Sequence, residues 1–314
     1  MKVATEIVQL GRPPSGPVNT PVYRASTIVF DTLDEFERAK DHERHALTYG
    51  RYGTPTTFSL EEAIARIEGA FAAALVPSGL SAITTALQAF LRPGDHLLLP
   101  DSVYGPARRF ATQFLEPRGI SASYYPAACG AGISQFLRPD TRVVYLESPG
   151  SLTFEMQDVP AICSVCKPRG IVTVADNTWA TPLLFKPLAH GVDVSLQAGT
   201  KYLVGHSDAM IGTIAATQSC WNMIESTIVQ LGLCVAPDEA YLAARGLRTM
   251  PVRLAQHARN AMAVASWLER QPQVARVCYP ALESDPGHAI WQRDYRGASG
   301  LMGVFLKPLP QLQA

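Results

Sequence analysis

The sequence predicts an α/β fold in which a mainly parallel sheet is flanked by helices. Short apolar runs of strand length alternate along the chain with longer segments whose apolar residues recur at helical spacing. Strands that alternate with helices are joined by crossovers, which make neighbouring strands parallel and cover both faces of the sheet. The 314 residues, 47% hydrophobic and 17% charged, suffice for one large domain or two ordinary ones.

The predicted strands are short and bounded by turn residues, as buried parallel strands are. They are His96–Leu99, Val143–Leu146, Ile171–Ala175 and Val192–Gln197. The predicted helices are Leu33–Lys40, Ser59–Gly69, Ser81–Phe90, Arg108–Leu115 and Val159–Cys166. Ligands of such sheets bind at the carboxyl ends of the strands, so the residues that follow each strand are candidates for a site.

The pattern indicates three regions along the chain. Residues 1–50 are rich in Pro, Thr and charged residues and show little period, so we expect an N-terminal extended arm. Residues 51–245 carry the alternating pattern and form the predicted α/β domain. Residues 246–314 are typical of an incomplete C-terminal α+β domain. Its predicted elements are an amphipathic helix from about Val252 to Arg270 and strands at Val274–Tyr279 and Leu301–Leu306.

Composition excludes several classes of function. Lys and Arg together number 27, as do Asp and Glu, and a balanced chain has no field that recruits nucleic acid or an anionic membrane. No apolar run approaches the length of a membrane span and the N-terminus has no apolar signal core, so we expect a cytoplasmic protein. Cys163 and Cys166 form a C-x-x-C without a second pair of metal ligands, which favours helix packing over a metal site.

Two side chains that follow predicted strands point to a cofactor. Asp176 ends the run IVTVAD, and Lys201 follows the strand Val192–Gln197 within GTKY. Either residue alone is more often a helix cap or a solvated surface group. Together at strand ends they fit pyridoxal 5′-phosphate (PLP), whose chemistry needs a lysine amine for an imine bond and an acid that keeps its pyridine nitrogen protonated.

Two further features fit the rest of that cofactor. Ser78-Gly79-Leu80-Ser81 stands at the head of a predicted helix, where free backbone N–H groups and the helix dipole favour a phosphate dianion. Tyr104, in the segment after the strand His96–Leu99, is the candidate for the aromatic ring that stacks on the pyridine. Taken alone, the first feature is equally a helix cap and the second a half-buried loop tyrosine.

The stretch SLQAGTKYLVGHSDAMIGT (195–213) resembles the lysine signature of the Cys/Met-metabolism PLP-dependent (trans-sulfuration) enzymes. Five other segments match that family in register, so that the resemblance covers almost the whole chain. They are YGRYGTPT (49–56), VPSGLSAI (76–83), DSVYGP (101–106), ESPGS (147–151) and DNTWATP (176–182). The resemblance implies PLP as cofactor and the type I fold of PLP-dependent transferases, which is similar to aspartate aminotransferase.

The resemblance also implies a role for each matched residue of the cofactor site. Lys201 holds PLP as a Schiff base and then shuttles protons. Asp176 pairs with the pyridine nitrogen, and Tyr104 stacks on the ring. The remaining residues bind the phosphate, namely the backbone amides of Gly79 and Leu80 with the hydroxyl of Thr200.

Two residues of the N-terminal region are implied to act on a second subunit. Tyr49, which is expected among the catalytic residues, and Arg51 reach the phosphate bound by the neighbouring chain. An arginine fork suits a phosphate, and an irregular arm is well placed to lie on a partner. The implied assembly is a homotetramer built as a dimer of dimers with shared active sites.

Among the activities of that family, the resemblance favours cystathionine β-lyase. Trp179 stands where γ-specific members more often have Phe, and ESPGS replaces their E-x-P-x-N. The implied reaction cleaves cystathionine to homocysteine, pyruvate and ammonia, within trans-sulfuration and methionine biosynthesis. The alternatives are a cystathionine γ-lyase or γ-synthase and, outside that class, a PLP-binding homologue with impaired catalysis.

The sequence departs from the family pattern in two places. Ala198 stands where relatives often have a phosphate-binding serine, which removes a hydrogen bond worth on the order of 1 kcal/mol. Family sequences also continue beyond LMGVFLKPLPQLQA, so we expect a C-terminally truncated chain without the arginine that binds the substrate α-carboxylate. The strand Leu301–Leu306 is then expected to lack its sheet partners, and an unpaired apolar edge favours aggregation.

Overall fold

The computed structural model describes residues 3–13, 15–39 and 44–308. Its strands are β1 (Ala72–Val76), β2 (His96–Pro100), β3 (Ser121–Tyr125), β4 (Thr141–Glu147), β5 (Val172–Asp176), β6 (Val194–Gln197), β7 (Gly212–Ala216), β8 (Val274–Cys278) and β9 (Gly303–Leu306). Its helices are α1 (Val3–Ile7), α2 (Leu33–Arg38), α3 (Pro55–Glu68), α4 (Gly79–Phe90), α5 (Gly105–Phe110), α6 (Val159–Cys166), α7 (Thr181–Leu184), α8 (Gln218–Gln230), α9 (Pro237–Leu268) and α10 (His288–Asp294).

The chain divides into two compact units. The first consists of Met1–Phe90 and Asp193–Met250, and the second of Leu91–Val192 and Pro251–Ala314. The predicted arm, α/β domain and C-terminal domain are three consecutive segments of the chain, whereas each of these units combines two separate segments. The three-part division stays a prediction. The first predicted helix ends at Lys40, which lies outside the described residues. The tail PLPQLQA begins at Pro308, and its other residues also lie outside them.

In the first unit, β7 pairs antiparallel with both β1 and β6, with Ala74 opposite Ile214 and Ser195 opposite Ala215. Every residue of these three strands is buried, which explains why most of their side chains are apolar or small. Helix α3 begins earlier than predicted because Pro55 occupies its first turn behind a Thr54 cap.

In the second unit, four strands are parallel in the order β5-β4-β2-β3. The apolar runs of β2 and β4 are almost entirely buried, as expected for parallel strands covered on both faces. Cys163 and Cys166 are buried in α6 within the core of this unit, which agrees with their interpretation as packing residues. Together the two units confirm the predicted α/β class, with mainly parallel strands and flanking helices.

The predicted lack of partners for the strand Leu301–Leu306 is wrong. Strand β9 pairs antiparallel with β8, and Val277 lies opposite Val304. The partner comes from upstream in the chain, within the segment Val274–Tyr279 that was itself predicted as a strand. The apolar side chains of Phe305 and Leu306 are nevertheless exposed on this pair.

Helix α9 also differs from the prediction, since it begins at Pro237 instead of near Val252 and contains Pro251. Gly246 lies within this helix. The residue must be a glycine because a Cβ there would stand 2.3 Å from the carbonyl oxygens of Leu203 and Val204. The glycine that suggested a boundary therefore marks a close approach of two backbone segments, both in the first unit.

Candidate active site

Two carboxyl groups lie side by side at the carboxyl ends of β4 and β5 in the second unit. Glu147 ends β4, Asp176 ends β5, and the two residues are direct partners in the parallel register. The side chain of Asp176 accepts a hydrogen bond from the amide of Thr178 (2.9 Å) and one from the hydroxyl of Tyr145 (3.4 Å). The strand end thus holds Asp176 in place through groups of its own unit.

The electrostatics of this pair follow from burial. Burial raises the pKa of Asp176, although its hydrogen bonds from Thr178 and Tyr145 oppose that rise. Burial, followed by the neighbouring Asp176 charge, raises the pKa of Glu147 well above its ordinary value. Burial and the same charge also raise the pKa of Tyr145, so its hydroxyl stays protonated and donates to Asp176.

Tyr104 is tied to the same strand end. Its backbone amide donates to Oε2 of Glu147 at 2.8 Å, and its side chain is 44% exposed, so that the ring faces open space. The two loops that follow β2 and β4 touch here, since the amide of Ser151 donates to the carbonyl of Ser102 (2.9 Å). Gly150 permits this contact, because a Cβ there would stand 2.3 Å from the hydroxyl oxygen of Ser102.

The predicted phosphate cradle lies in the first unit, at the N-terminus of α4. Ser78 caps this helix: its side chain accepts from the amide of Ser81 (3.0 Å) and its carbonyl from the amide of Ala82 (3.0 Å). The amides of Gly79 and Leu80 donate to no acceptor among the described residues. Two free donors at a helix N-terminus form a local binding place for an anion.

The loop that carries Lys201 lies against this cradle, within the same unit. A Cβ on Gly79 would stand 2.5 Å from the Cβ of Ala198, so only glycine fits at the start of α4. The amide of Lys201 donates to the carbonyl of Ala198 (3.0 Å), and its carbonyl accepts from the amide of Gly205 (2.8 Å). The Lys201 side chain is exposed and contacts no hydrogen-bond or ion-pair partner in the described ranges.

The side chain of Thr200 bonds to the adjacent strand segment. Its Oγ1 donates to the carbonyl of Ile211 (3.2 Å) and accepts from the amide of Ile211 (3.1 Å). These contacts fix the backbone of the loop directly before Lys201.

Tyr49 and Arg51 lie elsewhere in the first unit, in the segment that precedes α3. Tyr49 forms a backbone bridge to Thr27 and is 42% exposed. The Arg51 guanidinium donates to the carbonyl of Val229 (3.2 Å) and lies over the ring of Tyr52. Arg51 also lines a cavity of about 310 Å³ beside β1 and α8.

Within each unit, the structure therefore joins some predicted residues and leaves others apart. Asp176 and Tyr104 are linked through Glu147, whereas Gly79 meets Ala198 on the loop that carries Thr200 and Lys201. Sequence reasoning missed Glu147, because the segment ESPGS was used to match the family and to separate β- from γ-specific enzymes, without a role for its glutamate. The signal was present, since Glu147 follows a predicted strand just as Asp176 does.

Trp179, the other residue that separated those classes, is packed inside the second unit. Its ring lies against Tyr279 and Tyr295, and its Nε1 donates to the carbonyl of Leu301 (3.1 Å). Only 7% of the residue is exposed. In the described chain, this tryptophan therefore acts through packing.

Comparison with protein families gives a match over nearly the entire chain. The model of the Cys/Met metabolism PLP-dependent enzymes matches residues 4–311. The chain belongs to this family. The resemblance of its motifs is thereby confirmed, as is PLP as the cofactor of the family.

Individual relatives agree with the family. The chain is 46% identical over 307 residues to a putative cystathionine beta-lyase of Rhizobium johnstonii, an alignment that covers 97% of this chain and 76% of that protein. It is 44% identical to the cystathionine beta-lyase MetC of Escherichia coli K12, with 98% and 79% covered. The crystal structure of metB from Corynebacterium glutamicum has a TM-score of 0.91 at 28% identity and covers 98% of this chain and 79% of that one, which confirms the type I fold.

The residues present fit PLP group by group. The free amides of Gly79 and Leu80 suit its phosphate, and the unpaired amine of Lys201 suits its aldehyde. Asp176 suits its ring nitrogen, since no Lys, Arg or His forms an ion pair with this carboxyl group among the described residues. Over the same residues, no cluster of His, Cys, Asp and Glu could hold a metal ion, and no helix is long and apolar enough to cross a membrane.

Proposed function

We propose that this chain is a carbon–sulfur β-lyase that cleaves cystathionine to homocysteine, pyruvate and ammonia. The observation that carries the proposal is its identity of 44–46%, over almost its full length, to proteins named cystathionine beta-lyase. The unpaired amine of Lys201, on a loop whose Ala198 packs against Gly79 at the N-terminus of α4, supports a lysine-bound cofactor in this chain as well. We place the reaction in methionine biosynthesis in the cytoplasm.

Bound PLP supplies an electron sink for the electron pair that remains when the substrate loses its α-proton. Lys201 would hold the cofactor through Nζ until the substrate amine takes its place, and the freed Nζ would then accept the α-proton and return a proton to the leaving sulfur. Asp176 carries the negative charge that keeps the ring nitrogen protonated, and Tyr104 supports the ring face. Tyr145 and Thr178 hold the Asp176 oxygens in position.

The phosphate is held by the amides of Gly79 and Leu80, whose N–H groups and helix dipole favour a dianion. The Thr200 hydroxyl joins them by rotating its proton away from the carbonyl of Ile211. Ala198 offers no side-chain donor. This cradle accordingly relies on backbone groups more than on side chains.

We further propose a homotetramer, built as a dimer of dimers, in which Tyr49 and Arg51 serve the cofactor of the neighbouring subunit. Tyr49 is 42% exposed in this chain, which leaves its ring free for a partner. The test mixes Arg51→Ala with Lys201→Ala subunits, each of which is expected to be nearly inactive. Mixed dimers contain one site with both residues intact, so activity should return on mixing. Failure to regain activity, with mixed dimers verified by mass, would contradict the shared site.

The lyase assignment is tested by the products of the purified chain. With PLP and cystathionine, we expect equal amounts of pyruvate and homocysteine. Release of 2-oxobutyrate and cysteine would show γ-cleavage and overturn the assignment. PLP binding without turnover of cystathionine would instead support the homologue with impaired catalysis.

A further inference from the structure

The carboxyl group of Glu147 stands between the two proposed ring contacts, Asp176 and Tyr104. It is the register partner of Asp176 and the hydrogen-bond acceptor for the amide of Tyr104. We propose that Glu147 is a positioning residue, which stays protonated beside Asp176 and holds Tyr104 through its carbonyl oxygen. This inference rests on the roles proposed above for Asp176 and Tyr104.

The first support is the rigidity of the Glu147 backbone. Its amide donates to Oε1 of Gln157 (3.1 Å), a residue that is fully buried. The amide of Gln157 in turn donates to the hydroxyl of Ser148 (3.0 Å), and its Nε2 to the hydroxyl of Tyr125 (3.3 Å). A buried hydrogen-bond network thus fixes the backbone of Glu147. Because the Glu147 carboxyl group accepts from the amide of Tyr104, the same network also helps to fix the position of Tyr104.

The second support is the position of Tyr104 itself. Tyr104 is the residue before α5, and only its backbone amide is tied to the β4 end, by the 2.8 Å bond to Glu147. The tyrosine ring is exposed, so neighbouring packing does not fix it on all sides. Loss of the Glu147 acceptor would remove the hydrogen bond that ties Tyr104 to the β4 end and leave the Ser102–Ser151 bond between the two loops.

The third support is the balance of charge. Three titratable groups face Glu147: Asp176 from β5, Tyr145 from β4 and Tyr104 from the loop before α5. Asp176 receives hydrogen bonds from the hydroxyl of Tyr145 and from both the amide and the side chain of Thr178, whereas the carboxyl group of Glu147 receives one, from the amide of Tyr104. No cation pairs with either carboxyl group among the described residues. Two neighbouring anions without a cation are unfavourable, so Glu147, whose carboxyl group receives fewer hydrogen bonds than that of Asp176, keeps its proton.

This arrangement has a consequence for the cofactor. A neutral Glu147 leaves a single negative charge, on Asp176, to face the ring nitrogen. Glu147 and Asp176 together then carry one negative charge, which balances the one positive charge of a protonated ring nitrogen. Burial and the Asp176 charge raise the pKa of Glu147, in agreement with this assignment.

The test compares Glu147→Gln, which copies the neutral carboxyl group, with Glu147→Ala, which removes the acceptor. The matched control is Glu155→Gln, at an exposed glutamate on the loop after β4 whose side chain accepts a hydrogen bond from the hydroxyl of Thr153. For the holoenzymes we expect Glu147→Gln and the control to keep the PLP dissociation constant within about threefold of the unchanged chain. Glu147→Ala should raise it at least about tenfold, which is 1.4 kcal/mol. Equal affinity of all variants, or equal loss in both Glu147 variants, would overturn the proposal.

Protonation is read out separately on the same proteins. The infrared spectrum at neutral pH should contain a protonated-carboxyl band that Glu147→Gln lacks and Glu155→Gln retains. The pKa of Glu147 in the folded protein lies above its ordinary value of 4.5, so the folded chain keeps a proton that the unfolded chain loses. As pH rises above 4.5, this difference lowers the free energy of unfolding. Glu147→Gln should therefore gain stability relative to the unchanged chain as pH rises. An unchanged band, or a constant stability difference, would contradict a protonated Glu147.

Two readouts also separate this inference from the proposed function. Hydrogen exchange of the Tyr104 amide needs neither turnover nor cofactor, and it should be slow in the unchanged chain and in Glu147→Gln but faster in Glu147→Ala. If this pattern holds while cystathionine is not cleaved, the lyase assignment fails and the role of Glu147 stands. If cystathionine is cleaved while exchange is equal in all variants, the role of Glu147 fails alone.

Discussion

The strand ends of β4 and β5 and the N-terminus of α4 with the Lys201 loop offer opposite kinds of site. At the strand ends, the carboxyl oxygens of Asp176 and Glu147 are engaged by groups of their own unit. At the α4 terminus, the amides of Gly79 and Leu80 and the amine of Lys201 have no partner among the described residues. The first site is built by folding, whereas the second is completed only by a ligand.

This difference predicts how substitutions divide between stability and function. Groups that bond within the protein contribute to folding, and their loss exposes the partners they leave behind. Groups that wait for a ligand contribute to binding and catalysis, and their loss leaves the fold intact. The following substitutions test that division.

The largest effect is expected for Lys201→Ala. Turnover of cystathionine should fall by at least about 10²–10⁴-fold, because the amine both binds the cofactor and moves the proton. The free energy of unfolding should change by less than about 0.5 kcal/mol, since the side chain is exposed and unpaired. Initial rates and denaturant titrations measure the two quantities, with the exposed Lys167→Ala as control. A large loss of stability would contradict the contrast between the sites.

Asp176→Ala should affect both properties. It removes the charge for the ring nitrogen, and we expect turnover to fall by about 10²-fold. It also leaves the hydroxyl of Tyr145 and the amide of Thr178 without an acceptor, which should cost about 1–3 kcal/mol of unfolding free energy. Denaturant titration of the protein without PLP isolates the folding part. An unchanged free energy of unfolding would mean that the hydrogen bonds to Asp176 contribute nothing to folding, which would contradict the contrast with the α4 terminus.

Gly79→Ala is expected to give a smaller effect at the cradle. This variant keeps the waiting amide, so its cost to the fold comes from the added methyl group: it would stand 2.5 Å from the Cβ of Ala198, the start of α4 must move, and overpacking should cost about 1–3 kcal/mol. The PLP dissociation constant should rise about tenfold, since the free amides move with the helix. Gly132→Ala is the matched control, because a Cβ there meets no atom within 4 Å. Equal PLP affinity of the two variants would exclude Gly79 from the cradle.

Much of the second unit could be predicted, because its strands are continuous apolar runs between turn residues. Leu97, Leu98 and Leu99 in β2 are fully buried, as that pattern requires. Strand β1 was missed because its sequence AAALV is mostly alanine, which has little strand preference, and its antiparallel pairing with β7 depends on contacts distant in sequence. The end of a strand was recognised at Asp176 and overlooked at Glu147.

Within the candidate site, the residue types indicated which groups suit a cofactor, but they did not indicate which of these residues contact one another. Lys201 and Gly79 belong to local motifs, so their placement follows from short segments. The bond from Tyr104 to Glu147 joins residues 43 positions apart, and no local pattern reveals it. Contacts of this kind arise from the strand register, which the sequence pattern alone leaves open.

The central claim is that Lys201 is the residue that holds PLP. The most direct measurement reduces the PLP-loaded chain with borohydride, which makes the lysine linkage permanent, and then maps the labelled peptide by mass spectrometry. We expect one phosphopyridoxyl group per chain, on Lys201, and none on the Lys201→Ala variant. A label on another lysine, or a loaded chain whose label persists in Lys201→Ala, would contradict the claim.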